Sequence, residues 1–173
     1  PLHGGPVYDL LVEAQTDPRQ PPQRIVAAGH DVMRATSGVT WTLVGGLPGA
    51  YNIVGDDGAW MAATRDGRGF LRNRGGTSWA STRLRDATDP VRFLAAAPSF
   101  NDNGMGFGIT TADWRLYRTN SRGVRWSDVI VVGGEEVEVG AVAFSPNYVT
   151  DETVFAGSDA GIFVSTTSGQ TWE

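Results

Sequence analysis

The 173-residue chain contains no cysteine and no lysine. Without cysteine it can form no disulfide framework and hold no thiolate-ligated metal. Only His3 and His30 offer imidazoles, too few for a His-rich metal centre. All 14 basic residues are arginine, which reads first as coding bias and second as a preference for planar, hydrogen-bonding cations. An excess of positive charge is missing too. The net charge is −5, with no long block of one sign, which argues against a general binder of nucleic acid or anionic membranes. No apolar run approaches the ~20 residues that span a bilayer, and the N-terminus lacks a signal-peptide pattern. The start at Pro1 without Met suggests a processed or trimmed N-terminus. Helix signals are scarce as well, since few stretches carry a 3.6-residue period.

What remains is a globular composition, 40% hydrophobic against 19% charged, in a chain long enough for one domain with a sizeable core. Its dominant feature is a phrase that occurs four times: RATSGVTW (34–41), RNRGGTSW (72–79), TNSRGVRW (119–126) and STTSGQTW (165–172). Each copy places a glycine three residues before its tryptophan: Gly38 and Trp41, Gly76 and Trp79, Gly123 and Trp126, Gly169 and Trp172. The tryptophans are spaced by 38, 47 and 46 residues, a period that signals a repeat architecture.

Between the phrases lie short runs rich in Val, Ile, Phe, Tyr and Thr, punctuated by Gly, Asp and Pro. In the last unit GAVAFSP, TVFAG and GIFVST read as strands, NYVTDE and SDAG as turns. The third unit repeats this grammar with VRFLAAAP, MGFGIT and WRLYRT, and the first two follow with more drift. Residues after each Trp (WTLVG, WASTRL, WSDVIVV) supply a fourth strand. Four antiparallel strands per 40–50-residue repeat describe the blade of a β-propeller. The expected fold is therefore all-β, about four blades spanning 5–45, 49–85, 90–132 and 137–173.

The phrase resembles the Asp-box or BNR repeat, S-x-D-x-G-x-T-W, of sialidases, sortilin-type receptors, xyloglucan-degrading hydrolases and photosystem II assembly-factor-like propellers. Ser165, Gly169, Thr171 and Trp172 match it, with Thr167 at the Asp position. Thr119, Gly123 and Trp126 match in the third copy, with Ser121 there. Gly38, Thr40 and Trp41 match in the first, with Thr36 there. In the second only Gly76, Ser78 and Trp79 remain, and Arg74 replaces the acceptor. The resemblance implies a folding device in the turn between the third and fourth strands. Glycine supplies positive φ, a short hydroxyl bonds the free N–H groups of the turn, and the indole buries apolar area. Because Arg74 cannot accept, the second turn should be the loosest.

The last unit reaches only one residue past Trp172, so its fourth strand is not in the sequence. The expectation is an incomplete ring: a segment of a larger propeller, or a chain completed by another copy or a partner. A closed four-bladed ring is the alternative.

Strand order puts the turns between second and third strands on one face with the blade-to-blade connections, and the resemblance implies that sites lie on that face. Binding candidates there are Arg65, Arg68, Arg83, Arg85, Trp114, Glu135 and Glu136. Asp31, Asp66, Asp113 and Asp159 recur in the four units, which points to turn chemistry because one catalytic site rarely needs four copies. His30 reads as a turn residue. No catalytic residue is assigned. There is no Arg-Ile-Pro segment of the sialidase kind, and VRFLA is only a superficial echo. Asp56 and Asp57 are adjacent in a turn rather than facing each other across a pocket. NDNG (101–104) lacks the later ligands of a calcium loop, and no phosphate-binding Gly loop occurs. The expected function is a non-catalytic protein-interaction or assembly scaffold, extracytoplasmic, without cofactor or metal. Its partner would be a protein or further blades of the same propeller. The alternative is part of a carbohydrate-active propeller whose catalytic residues lie elsewhere.

Overall fold

The computed structural model describes residues 6–13, 19, 24–28, 31–35, 40–73, 75–84, 90–129 and 137–173, with backbone only for 24–28. Fifteen strands among these residues form four antiparallel sheets, each meandering in sequence order. Sheet 1 comprises β1 (Val7–Val12), β2 (Arg24–Ala28), β3 (Val32–Ala35) and β4 (Trp41–Leu43). Sheet 2 comprises β5 (Ala50–Asp56), β6 (Ala59–Thr64), β7 (Gly69–Arg72) and β8 (Ala80–Thr82). Sheet 3 holds β9 (Val91–Ala96), β10 (Met105–Thr110), β11 (Leu116–Asn120) and β12 (Ser127–Val129). Sheet 4 has three strands: β13 (Val139–Phe144), β14 (Val154–Ser158) and β15 (Gly161–Ser165). Glu173 exchanges two backbone bonds with Val164, both 2.9 Å, so pairing along the outer edge of β15 has begun.

The first strand of each sheet is innermost, and consecutive sheets pack side by side from the first to the fourth. No comparable packing joins the fourth sheet back to the first among the described residues. The fold is a β-propeller with an open ring.

The core is divided among the seams. Val32, Leu47, Ile53 and Trp60 fill the space between sheets 1 and 2, and Met61, Leu94, Phe100 and Tyr117 that between 2 and 3. Phe107, Ile109, Val142, Tyr148 and Trp172 fill the seam between 3 and 4. Strands β6 and β10 are buried at every position because each has a neighbour on both faces. Two segments expected as turns contain a single helical turn, Phe100–Asn103 (α1) and Tyr148–Asp151 (α2), each burying its aromatic residue in a seam.

All four tryptophan phrases lie between the third and fourth strands of their sheets or, for the last, directly after the third. In the last copy, Ser165 Oγ accepts the N–H groups of Thr167 and Gly169 at 3.2 and 2.8 Å, and Thr167 Oγ1 accepts that of Thr171 at 2.9 Å. Thr119 Oγ1 and Ser121 Oγ do the same for Ser121, Gly123 and Arg125. Hydroxyls of Ser165, Thr167, Thr119 and Ser121 thus supply the acceptors of these two turns. The second copy departs from this. Arg72 stands where Thr119 and Ser165 stand, so no hydroxyl is available and the Gly76 N–H turns to the Asn73 carbonyl at 2.9 Å. In the third and fourth copies two consecutive residues are left-handed, Arg122 and Gly123 at φ 55° and 82° and Ser168 and Gly169 at φ 54° and 77°, whereas in the second Gly75 is left-handed at φ 71° and Gly76 is not. Arg74, Gly38 and Thr36 lie outside the described residues, so the comparison of looseness does not extend to them.

The last three phrases also grip the preceding sheet. Trp79 Nε1 donates to the Val44 carbonyl at 2.8 Å, and Trp126 Nε1 donates to Thr82 Oγ1 at 2.9 Å. Trp172 packs edge-on to Phe107, with ring centroids 6.0 Å apart. A buried aromatic ring at such a seam contributes roughly 3 kcal/mol of apolar burial.

Candidate functional site

A β-bulge near the start of each inner strand determines what faces the channel. In sheet 1 the pairing passes from Val7 to Asp9 and leaves Tyr8 over; in sheet 2 it passes from Ala50 to Asn52 and leaves Tyr51. Sheet 3 skips Arg92 between Val91 and Phe93, and sheet 4 skips Gly140 between Val139 and Ala141. An extra residue in one strand loses its place in the ladder and is re-aimed. All four leftover residues line one open concavity of about 880 Å³. Arg65, Phe93 and Thr111 contribute to it as well. Gly140 brings no side chain, so the concavity stays open toward sheet 4.

These bulges sit next to polar clamps that hold the inner strands together. Asn52 Oδ1 accepts the Leu94 N–H at 2.8 Å, and its Nδ2 donates to Asp9 Oδ2 at 3.1 Å. Asp9 Oδ2 also accepts the Ile53 N–H at 2.9 Å. Tyr51 Oη donates across the same seam to the carbonyls of Val91, at 2.9 Å, and Arg92. Burial raises the pKa of this phenol, and the nearby Arg92 charge partly opposes the shift.

The basic groups at the concavity are paired with rings. Arg65, in the turn after β6, stacks 5.0 Å from the Tyr8 centroid and donates from Nη1 to Tyr8 Oη at 2.8 Å. Arg92 lies 3.8 Å over the Trp114 ring. Such contacts hold a flexible guanidinium in place with its remaining donors outward. Trp114 itself takes φ 55°, a left-handed conformation uncommon for a bulky residue, and its carbonyl accepts the Val139 N–H at 3.0 Å. It also forms one wall of a smaller depression of about 430 Å³ with Glu138, Asp159 and Ile162.

Two of the recurring aspartates, Asp66 and Asp113, serve their own turns, whereas Asp159 bonds to the segment that leads into β13. Asp66 accepts from Thr64 Oγ1 at 2.5 Å and from Arg68 Nε at 2.7 Å. The Arg68 bond, followed by that from Thr64, lowers its pKa, and the same contact raises that of Arg68. Asp113 accepts from Thr110 Oγ1 at 2.6 Å and pairs with Arg115 Nε at 3.4 Å. Asp159 accepts the Glu138 N–H at 3.1 Å. Asp31 is half-buried beside β3.

Of the binding candidates, Arg65 lines the concavity, and Trp114 reaches it through Arg92. Arg68 sits in the same turn but is turned to Asp66 and to the Phe70 ring, 5.6 Å away. Arg83 is exposed just past β8, the outermost strand of sheet 2, and lines neither depression. Arg85, Glu135, Glu136 and His30 lie outside the described residues. Sequence reasoning overlooked Tyr8, Tyr51 and Arg92. A signal for them existed, since each is the second residue of its inner strand, but alternation alone cannot reveal a bulge.

On the other face, Asp57 and Gly58 form the left-handed pair of the β5–β6 hairpin, at φ 44° and 82°. Asp56 precedes them and caps α1, its Oδ1 accepting the Asn101 N–H at 2.6 Å. Desolvation raises its pKa against that bond. Trp60 is fully buried, its Nε1 donating to the buried Glu13 at 2.7 Å. No group of residues with metal-ligand geometry occurs among the described residues.

No protein-family model and no curated protein matches the chain. Solved structures do. An ancestral GH74 enzyme superposes with a TM-score of 0.69 at 20% identity, over 98% of this chain and 24% of its own. YCF48 bound to D1 peptide gives 0.68 at 18% identity, over 100% of this chain and 54% of its own. The GH74 xyloglucanase from Xanthomonas campestris gives 0.70 at 16% identity, over 97% and 30%. The chain thus spans about a quarter to a half of these structures, and its fold is a β-propeller.

Proposed function

We propose that this chain is a non-catalytic interaction scaffold that binds a polypeptide segment bearing carboxylates across the face where the inner strands begin. The observation that carries this reading is the repeated bulge, which sends Tyr8, Tyr51 and Arg92 into one open depression and leaves Gly140 as a gap. A broad, open surface of rings and ring-stacked guanidiniums suits an extended, acidic ligand. The patch is locally basic on a chain whose net charge is −5, which favours one docking site over diffuse attraction. Among the lining residues the carboxylate is Asp66, which is engaged by Thr64 and Arg68. This supports binding over general acid–base work, which needs a carboxyl group free to exchange its proton. YCF48, whose solved structure holds a D1 peptide, offers a parallel in fold.

The test is fluorescence anisotropy with labelled peptides of matched length, one set acidic and one basic. The acidic set is expected to bind with a steep salt dependence. The Arg65→Ala/Arg92→Ala double variant should weaken that binding by about tenfold or more. Equal binding of both sets, or no loss in the double variant, would overturn the reading. So would sugar release from a polysaccharide panel, which would point to a carbohydrate-active propeller instead.

A further inference from the structure

Two arginines from neighbouring sheets meet in the seam between sheets 1 and 2. Arg34 lies on the same side of β3 as Val32, which packs against sheet 2. Arg72 stands directly across from Trp60 in the β6–β7 ladder and shares its side. Both guanidiniums lie over the fully buried Trp60 ring, 5.6 and 4.6 Å from its centroid. Among the described residues a single carboxylate answers them. Glu13 Oε1 is committed to the Gly58 N–H at 2.9 Å and to Trp60 Nε1 at 2.7 Å, while Oε2 stands 4.0 Å from Arg34 Nη2. The cluster therefore keeps an excess of positive charge.

The Nε atoms of both arginines are buried and meet no acceptor among the described residues. Burial, followed by the charge of Arg34, lowers the pKa of Arg72, and Glu13 opposes the shift. Buried donors are nearly always paired in folded proteins, and charged ones are the costliest to leave unpaired. The seam between sheets 3 and 4 shows the paired arrangement. Arg34 and Arg118 hold the same register position, each across from the residue that follows a phrase tryptophan, Thr42 and Ser127. Arg118 reaches the next sheet and donates from Nε to the Ser168 carbonyl at 2.6 Å. Arg34 reaches the next sheet and meets a second guanidinium instead.

We infer that Arg34 and Arg72 are the two arms of an oxyanion site that takes a phosphate or sulfate group. Each guanidinium presents a planar fork of donors that matches a pair of oxyanion oxygens, and a tetrahedral group has oxygens for both forks. The Arg34 side chain is 26% exposed, so the cluster is open to solvent at its rim. Stacking on Trp60 holds both cations in place. Gly58 and Trp60 hold Glu13, which keeps its carboxylate from swinging between them. The site sits where the third strands end, on the face opposite the concavity, and is independent of peptide binding there.

Thermal unfolding of the 173-residue chain at fixed ionic strength should show a higher midpoint in phosphate than in chloride. Titration calorimetry should find one phosphate per chain. Arg34→Met and Arg72→Met should each weaken that binding by about tenfold or more. Arg34 is partly exposed, so its variant is the safer of the two for folding. Binding of inorganic phosphate alone identifies a free ion as the occupant, and binding of O-phosphoserine as well identifies a phosphate monoester. No stabilisation beyond chloride, or undiminished binding in both variants, would sink the inference. So would loss of the phosphate effect in Arg65→Ala/Arg92→Ala, which would place the anion at the concavity.

Discussion

Phe107 and Phe155 occupy the same place in successive sheets, yet one is sealed and the other faces outward. Both stand mid-way along a second strand, with alanine opposite on the inner strand. Their local sequences, MGFGIT and TVFAGS, are close in character. The difference is the neighbour. Sheet 4 lays Gly169 and Trp172 over Phe107, and no described element lies over Phe155. In this architecture a sheet does not bury its own apolar face; the next sheet does. Stability should therefore be concentrated at the seams and not within the sheets.

The largest effect should come from breaking this comparison at its centre. Phe107→Ala empties a seam and should cost about 3–5 kcal/mol, whereas Phe155→Ala in dilute chain should cost under about 1 kcal/mol. Urea unfolding followed by tryptophan fluorescence reads both. Similar losses would mean that Phe155 is covered after all.

The glycines of the phrases give an intermediate effect. Gly169→Ala adds a methyl against Phe107 as well as strain at φ 77°, and should cost about 2–4 kcal/mol. Gly75→Ala carries comparable strain at φ 71° but meets nothing within 4 Å, and should cost about 1–2 kcal/mol. Thermal unfolding of the two variants separates seam packing from turn strain. Equal costs would show that the glycine serves only the turn.

The smallest effect concerns Asp56, at the seam between sheets 2 and 3. Its folded-state pKa is raised by desolvation, so the folded chain binds this proton more tightly than the unfolded chain does. Its ionisation therefore costs stability as the pH rises from the unfolded carboxylate value, about 3.9, through the folded one. Asp56→Asn keeps an oxygen that can accept from Asn101 and removes the charge. The variant should be modestly more stable than the parent at neutral pH, and the gain should vanish below about pH 4. A gain that persisted in acid would place its origin in packing.

Much of this fold was legible because its signals are local. The tryptophan phrase carries its own hydrogen bonds, with Ser165 reaching Gly169 and Thr119 reaching Gly123 only four residues on. Two of the recurring aspartates, Asp66 and Asp113, likewise bond within their own turns, whereas Asp159 bonds to Glu138. The candidate site was only partly legible. Arg65 and Trp114 stand on turns that the strand order identified, whereas Tyr8, Tyr51 and Arg92 are brought to the concavity by bulges. A bulge is a relation between two strands, and neither strand's sequence announces it. The buried clamp of Asn52 with Asp9 and Leu94 was invisible for the same reason, since it joins residues about forty positions apart.

The sequence by itself determined the strands, the period and the turn chemistry, because these depend on side-chain alternation and on bonds spanning a few residues. The tertiary structure alone decided which apolar residues are sealed and which residues face the channel. Burial and ladder register depend on what lies alongside, and that is set by the packing of whole sheets.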